Sequence, residues 1–191
     1  MKCALLKFQF DHAFSSFLNA PPVFFIMKIF VVRHASAVER FVWNGNDSER
    51  PLDEEGSNQS LMVAKYFSNT NISSIFCSPA VRCQQTIWPT SQKSGTKIEL
   101  SNSLSEGSTS QTNDLVKKLA QTENSDTSSI LCSHGDVISE LIRSLTLNGM
   151  NIPKRKGFAK ASIWELFFIN GKIDSGFYHE SHLSQPSKKS F

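Results

Sequence analysis

The sequence predicts an α/β fold with a mostly parallel central sheet, and three strand-to-helix units predict it. The run Ile29 to Val32 is β-branched and aromatic, short enough for a buried strand, and ends abruptly in Arg33-His34. A second unit, Ile72 to Pro79, carries an apolar strand into Ser-Pro and a helix with Arg82 on its first turn. A third, Ser128 to His134, is followed by Gly135-Asp136 and the helical pattern Val137, Ile138, Leu141, Ile142, Leu145. Ligands of an open α/β sheet bind at the carboxyl ends of its strands, so Arg33, His34, Arg82 and His134 read as one site. Taken alone, Arg33-His34 fits a solvated loop as well. The recurrence at three strand ends points to a site rich in cations and poor in carboxylates, which suits a phosphoryl group.

The chain's 191 residues suit one domain able to bury a core without staples. A net charge of +3, with Lys and Arg spread along the chain, does not mark a nucleic-acid binder, and the basic surplus reads as solubility plus an anion site. Hydrophobic content of 39% excludes a disordered chain, and no apolar run approaches the roughly 18 residues that a membrane span needs. Cys3, Cys77, Cys83 and Cys132 contain no Cys-x-x-Cys pair, so reduced thiols are expected, with Cys77 and Cys132 as buried, neighbouring small hydrophobes. The sequons at Asn46, Asn58 and Asn71 carry no meaning in a chain expected to be cytoplasmic.

Residues 1–26 differ in composition from the remainder of the chain, with Phe8, Phe10, Phe14, Phe17, Phe24 and Phe25 crowded into a segment without arginine. Lys7 and Asp11-His12 interrupt the apolar stretch that a secretory signal requires. The segment is read as an upstream extension with Met27 as the functional beginning, or else as an organelle-targeting or surface-attached helix. The domain then spans 27–180, and 181–191 is a polar tail.

From Ser36 to Arg50 the chain is polar and aromatic, with a strong turn signal at Asn44-Gly45-Asn46-Asp47. A loop this long after a charged strand tip borders a pocket, which makes Arg40, Trp43 and Arg50 candidate substrate contacts, each equally able to sit at the surface. Pro51 fits the first turn of a helix whose positive end is favoured by Asp53, Glu54 and Glu55. Leu61, Met62, Ala64, Lys65 and Phe67 continue that helix as a core-facing stripe. In the next helix Ser78 is expected to cap and Pro79 to take the first position. Arg82 then lies near the positive end of the dipole, a place that makes more sense with an anion beside it. The helix runs through Thr86 and Trp88 towards Gly95, despite Pro89, which should kink or end it.

Lys97 to Leu100 reads as a short edge strand, and Gln111 to Gln121 as a helix built on Leu115, Val116 and Leu119. Gly135 permits close backbone approach at a helix start whose free amides suit phosphate oxygens, and Asp136 caps or charges that start. Asn148 to Gly157 is a turn-rich connection carrying Lys154, Arg155 and Lys156. Ala161 to Ile169 and Lys172 to Tyr178, joined by Asn170-Gly171, form a hairpin whose first strand is apolar on both faces. His179 and His182 fall in the hydrophilic tail.

Six pieces also occur in a recognisable order: Arg33-His34-Ala35; Arg50-Pro-Leu-Asp-Glu-Glu-Gly56; Cys77-Ser-Pro-Ala-Val-Arg-Cys-Gln-Gln-Thr86; Leu104-Ser-Glu-Gly107; Ser133-His-Gly-Asp136; and Lys156 to Leu166. With this ordered set the chain resembles the histidine phosphatase superfamily, the group that shares the phosphoglycerate mutase-like fold. The resemblance implies a three-layer αβα sandwich around a mostly parallel sheet. It implies that His34 attacks phosphorus to give a phosphohistidine, that Arg33, Arg82, His134 and Gly135 hold the phosphoryl oxygens, and that Glu106 is the proton donor. His34 must attack as a neutral imidazole, a form that Arg33 and Arg82 favour by disfavouring a second positive charge. No metal or other cofactor is implied, and the sequence has neither an acidic ligand cluster nor a GxxxxGK[ST] loop.

Three functions compete: a phosphatase, a mutase, and a non-catalytic phosphate-binding module. The family's mutases are longer, with an insertion that shelters the intermediate, and there is no room for one between Leu104 and Ser128. Among phosphatases, a small protein phosphohistidine phosphatase is an alternative, but those often lack the acid that Glu106 supplies. The preferred expectation is hydrolysis of a phosphomonoester on a small molecule, with no nucleic acid or membrane as partner.

Overall fold

The computed structural model of the protein describes residues 26–121, 127–154 and 157–180. The apolar run at 29–32 forms the middle of β1 (Ile26–Arg33), and the other two units form β2 (Ile72–Cys77) and β4 (Ser128–Ser133). The weak signal at 98–100 is strand β3 (Ile98–Leu100), while β5 (Ile163–Ile169) and β6 (Lys172–His179) make the carboxy-terminal hairpin. They assemble into one sheet in the order β3-β2-β4-β1-β5-β6. The first four are parallel, β5 runs antiparallel to β1, and β6 returns antiparallel to β5.

Helices α1 (Glu54–Tyr66) and α2 (Val81–Ser94) cover one face of the sheet, and α3 (Thr109–Ala120) and α4 (Gly135–Leu147) cover the other. The alternation of β1 feeds both layers. Phe30 and Val32 pack with Val63 and Ile87 of α1 and α2, whereas Ile29 and Val31 pack with Val116, Ile138 and Leu141 of α3 and α4. A parallel strand covered on both faces has no solvated side, and all six residues of β4 are buried. The result is the expected three-layer αβα sandwich with a mostly parallel sheet.

Several local expectations change. Helix α1 begins at Glu54, because Leu52 is held in an antiparallel bridge to Ala37 and Asp53 caps, its Oδ1 accepting from the Gly56 amide at 2.7 Å. Its buried face is Gly56, Gln59, Ser60, Val63 and Ala64, while Leu61 and Met62 are exposed. The small and polar face turns inward because α1 passes against the backbone of Ser36, whose N–H donates to Gln59 Oε1 at 2.8 Å. In α2 the N-cap is Ala80 rather than Ser78; the helix runs as expected through Pro89 to Ser94, ending at Gly95 in the left-handed region. Buried Cys83, Thr86 and Ile87 before the proline and Thr90 and Ser91 after it hold the helix on the sheet through the missing hydrogen bond. Asn170 and Gly171 both take positive φ, as a two-residue hairpin turn requires. His179 belongs to β6 rather than to a tail, with Nε2 3.3 Å from Glu165 Oε2.

The expectations for residues 1–25, including the alternatives for the amino-terminal segment, lie outside the described residues, as do Glu123, Asp126, Arg155, Lys156, His182 and the tail 181–191. Among the described residues no helix is long and apolar enough to cross a membrane.

The close pass of α1 over Ser36 has a measurable cost. A Cβ at Gly56 would lie 1.8 Å from the Ser36 carbonyl oxygen, a backbone atom that cannot swing aside. Gly56→Ala is expected to destabilise the fold by about 1–3 kcal/mol, read as a lower urea midpoint at unchanged slope.

Candidate active site

The register of β1 against β4 sets the site. Arg33 pairs with Ser133, so the next residue beyond each strand, His34 and His134, emerge side by side, and the His34 amide donates to the Ser133 carbonyl at 3.0 Å. Their ring centroids are 5.4 Å apart. On the other flank Ala161, held at φ 58°, donates its N–H to the His34 carbonyl at 3.2 Å. The main chain of His34 is thus pinned by β4 on one side and by the turn that leads into β5 on the other.

His34 Nδ1 lies 2.8 Å from the Ala35 carbonyl oxygen. A carbonyl only accepts, so Nδ1 carries the proton and Nε2 of the neutral ring keeps a lone pair. Burial pushes the His34 imidazole down to about 3, and the charges of His134, Arg82 and Arg33 add to it, against the opposing bond to Ala35. Neutral His34 is therefore secured by desolvation first and by the arginines second.

Arg82 on the first turn of α2 is 1% exposed. Its Nη1 donates to the Asp47 carbonyl at 2.7 Å, and its Nη2 lies 2.9 Å from Glu106 Oε1 and 3.3 Å from His134 Nδ1. His134 Nε2 is 2.9 Å from the Ser78 hydroxyl and 3.6 Å from Cys83 Sγ. The serine expected to cap α2 instead orients this imidazole. Arg33 hydrogen-bonds the Phe158 carbonyl through Nη1 and lies beneath Gly135, where a Cβ would come within 2.8 Å of Cζ. The close approach that Gly135 permits is thus made by the Arg33 guanidinium. The Nε groups of Arg33 and Arg82 are buried without a hydrogen-bond partner.

A cleft of about 440 Å³ opens over these groups, lined by Arg33, His34, Arg40, Glu106, Gly135, Asp136, Ser139 and Phe158. Glu106 sits in the loop before α3, which is tied down at two points: the Gly107 amide donates to Asp136 Oδ2 at 3.0 Å, and Ser133 Oγ donates to the Leu104 carbonyl at 2.7 Å. Asp136 thus positions the Glu106 loop as well as standing in the first turn of α4. Arg40 lies at the rim, with Nη2 3.6 Å from Glu106 Oε1. A larger groove of about 620 Å³ between α2 and β3 is lined by Trp88, Leu100 and several glutamines, and contains neither histidine nor carboxylate.

The similarity to known proteins runs through the same residues. A family model described as the histidine phosphatase superfamily (branch 1) matches residues 29–115, which include Arg33, His34, Arg82 and Glu106. The fold resembles that of the protein histidine phosphatase SixA complexed with tungstate, with a TM-score of 0.63 at 20% identity over 81% of this chain and 95% of that one. Over residues 29–115 the chain is similar to the histidine phosphatase superfamily. An 8-oxo-(d)GTP phosphatase of Mycolicibacterium smegmatis is 28% identical over 162 residues, 84% of this chain and 49% of that protein. The chain therefore spans about half the length of that relative. A mycobacterial glucosyl-3-phosphoglycerate phosphatase shares the fold with a TM-score of 0.57 at 15% identity, over 74% of this chain and 90% of that one.

Of the residues singled out in the sequence, Arg33, His34, Arg82, Glu106, His134, Gly135 and Arg40 come together at or beside this cleft. Arg50 does not line the cleft: it is buried, with Nε 2.9 Å from Asp47 Oδ1 and Nη1 2.8 Å from the Val38 carbonyl, and serves the loop rather than a substrate. Trp43 likewise closes the turn, donating from Nε1 to the Asn46 carbonyl at 2.9 Å. Sequence reasoning missed Asp47, Phe158 and the role of Ser78. Phe158 stands inside the 156–166 motif and Ser78 inside 77–86, but neither motif signals a function for them; Asp47 carries only a turn signal. Cys77, Cys83 and Cys132 are buried free thiols, with Cys77 and Cys132 paired across β2 and β4 as expected. Among the described residues no three His, Cys, Asp or Glu side chains are grouped to hold a metal ion.

The depressed basicity of His34 makes stability depend on pH. The unfolded chain takes up this proton near pH 6.5, whereas the folded chain does so only near 3, so acidification through that window favours unfolding. His34 alone is expected to add a slope of up to about 1.4 kcal/mol per pH unit there. Urea unfolding of His34→Asn between about pH 7 and about pH 4 should show a correspondingly smaller loss of stability than the natural chain.

Proposed function

We propose that the protein is a phosphatase that hydrolyses a phosphomonoester through a phosphohistidine on His34. The observation that carries this reading is the bound Nδ1 of a buried, neutral His34, which leaves the Nε2 lone pair free in a side chain that lines the cleft with Arg33 and Glu106. In the first step the Nε2 lone pair attacks phosphorus, the bond to the leaving oxygen breaks, and Glu106 gives that oxygen a proton. In the second step the Glu106 carboxylate takes a proton from water, the water oxygen attacks phosphorus, and the P–N bond breaks to release phosphate and neutral His34.

Arg33, Arg82 and His134 would offer hydrogen-bond donors to the equatorial oxygens, guanidinium forks matching the geometry of a phosphoryl group. Glu106 is well placed for its part: its carboxylate lies at the cleft on a braced loop and is 45% exposed, so it can reach both a leaving group and water. The exchange of the SixA-type substrate, a phosphohistidine on protein, for a phosphate ester is favoured by that acid, because an alkoxide leaves poorly without a proton.

The test is a phosphate-release screen over sugar phosphates, phosphoglycerates, nucleotides and a phosphohistidine peptide, followed by two substitutions. His34→Ala is expected to lower kcat by about 10³-fold or more on every substrate, since it removes the attacking atom. Glu106→Gln is expected to cost about 10²–10⁴-fold on alkyl phosphates and much less on p-nitrophenyl phosphate, whose leaving group needs no proton. Full activity of His34→Ala would end the reading. Greatest activity on the phosphohistidine peptide, untouched by Glu106→Gln, would favour a protein substrate.

A further inference from the structure

We infer that Asp47 is a positioning residue that aims Arg82 at the phosphoryl group, an assignment that rests on the phosphatase reading. Among the described residues the Arg82 guanidinium meets two carboxylates. Glu106 lies 2.9 Å from Nη2, but in the proposed reaction it serves the leaving oxygen and then water, and so has to leave this pair. Asp47 takes no part in that proton transfer. Its Oδ2 lies 3.2 Å from Nη2 and its backbone carbonyl accepts from Nη1, so it grips the guanidinium at both terminal nitrogens. When Glu106 turns to the substrate, Asp47 is the anion that stays.

Asp47 is itself held in place. It opens the short 3-10 turn Asp47–Glu49, capped by the Asn46 side chain, which accepts from the Ser48 amide at 3.0 Å. Arg50, buried and anchored to the Val38 carbonyl, fixes Oδ1 at 2.9 Å, and Arg40 approaches the same oxygen at 3.1 Å. A continuous run of contacts thus leads from the backbone at Val38 through Arg50 and Asp47 to Arg82. Burial would raise the Asp47 carboxyl, but the Arg50 hydrogen bond and the charges of Arg82, Arg50 and Arg40 outweigh it and keep the group below its ordinary value. Asp47 is therefore an anion wherever the enzyme works. Aim matters because small misplacements of a group that stabilises a transition state are costly to kcat.

Asp47→Asn isolates this role. The variant keeps the backbone carbonyl contact and the side-chain size, and removes the negative charge together with one of the two acceptor oxygens. Loss of aim is expected to lower kcat on a phosphomonoester by about 10-fold or more. Competitive inhibition by inorganic phosphate should stay the same or tighten, because one negative charge has left the neighbourhood of an anion site. The melting temperature should stay within about 4 °C of the natural chain. An unchanged kcat would overturn the assignment. So would a parallel loss of kcat, phosphate inhibition and melting temperature, which is the signature of a merely structural turn. Failure of the phosphatase reading is separate and visible in the control: the natural chain would then release no phosphate from any member of the panel.

Discussion

The parallel pairing of β1 with β4 is the constraint on which the site depends. Six register pairs, from Lys28 with Ser128 to Arg33 with Ser133, bring two strand ends level. The next residue on each strand is a histidine. Side chains alternate along a strand, so a slip of one residue would send one imidazole to the opposite face and move Val31 or Leu131 out of the layer of α3 and α4 into that of α1 and α2. The same apolar alternation that builds the two cores therefore fixes the distance between the imidazoles. Core packing and catalytic geometry are specified by one register.

That placement carries an electrostatic cost that the rest of the site offsets. A nearly inaccessible guanidinium and two buried imidazoles meet at the ends of three strands, and removing such groups from water costs several kcal/mol per ion when they remain charged. His34 avoids the cost by staying neutral. Arg82 remains charged, and its partners are carboxylates on loops, Glu106 before α3 and Asp47 in the turn before α1. Strand β1 and the first turn of α2 supply Arg33 and Arg82, and the loops supply the anions. A site built this way is poor evidence for stability and better understood as a place prepared for a further anion.

The sequence made the strand tips legible because a buried parallel strand is a continuous apolar run, and its end is marked by the first charged residue. Arg33, His34, Arg82 and His134 are all read by that rule. Glu106 is not: a single glutamate in a polar loop has no local signal, and only its place in an ordered set of motifs marks it. Asp47 and Arg50 show what remains hidden. Both lie in a loop whose course is set by contacts to Val38 and Arg82, 12 and 35 residues away in the chain, and no pattern within the loop encodes those partners. The misread stripe of α1 has a related cause. Hydrophobic periodicity favoured Leu61 and Met62, but the helix approaches the Ser36 backbone too closely for large side chains, so glycine, glutamine and serine face inward.

The two parts of the cleft also differ in how they are made. Its inner part is formed by strand ends and first helical turns, elements fixed by both cores. Its rim is formed by Arg40, Glu106 and Phe158, all of them on connecting segments, with the Arg40 side chain 67% exposed and that of Glu106 45%. Connecting segments accept insertion and substitution without disturbing the sheet. A fold of this kind can keep one phosphoryl chemistry while exchanging the group it is cut from. That is consistent with a shared architecture among proteins named for phosphohistidine and for a glucosyl phosphoglycerate. On the proposed phosphatase reading, the choice of substrate would fall to the segments 36–50 and 157–160, which bring Arg40 and Phe158 to the cleft, rather than to the sheet that holds the histidines.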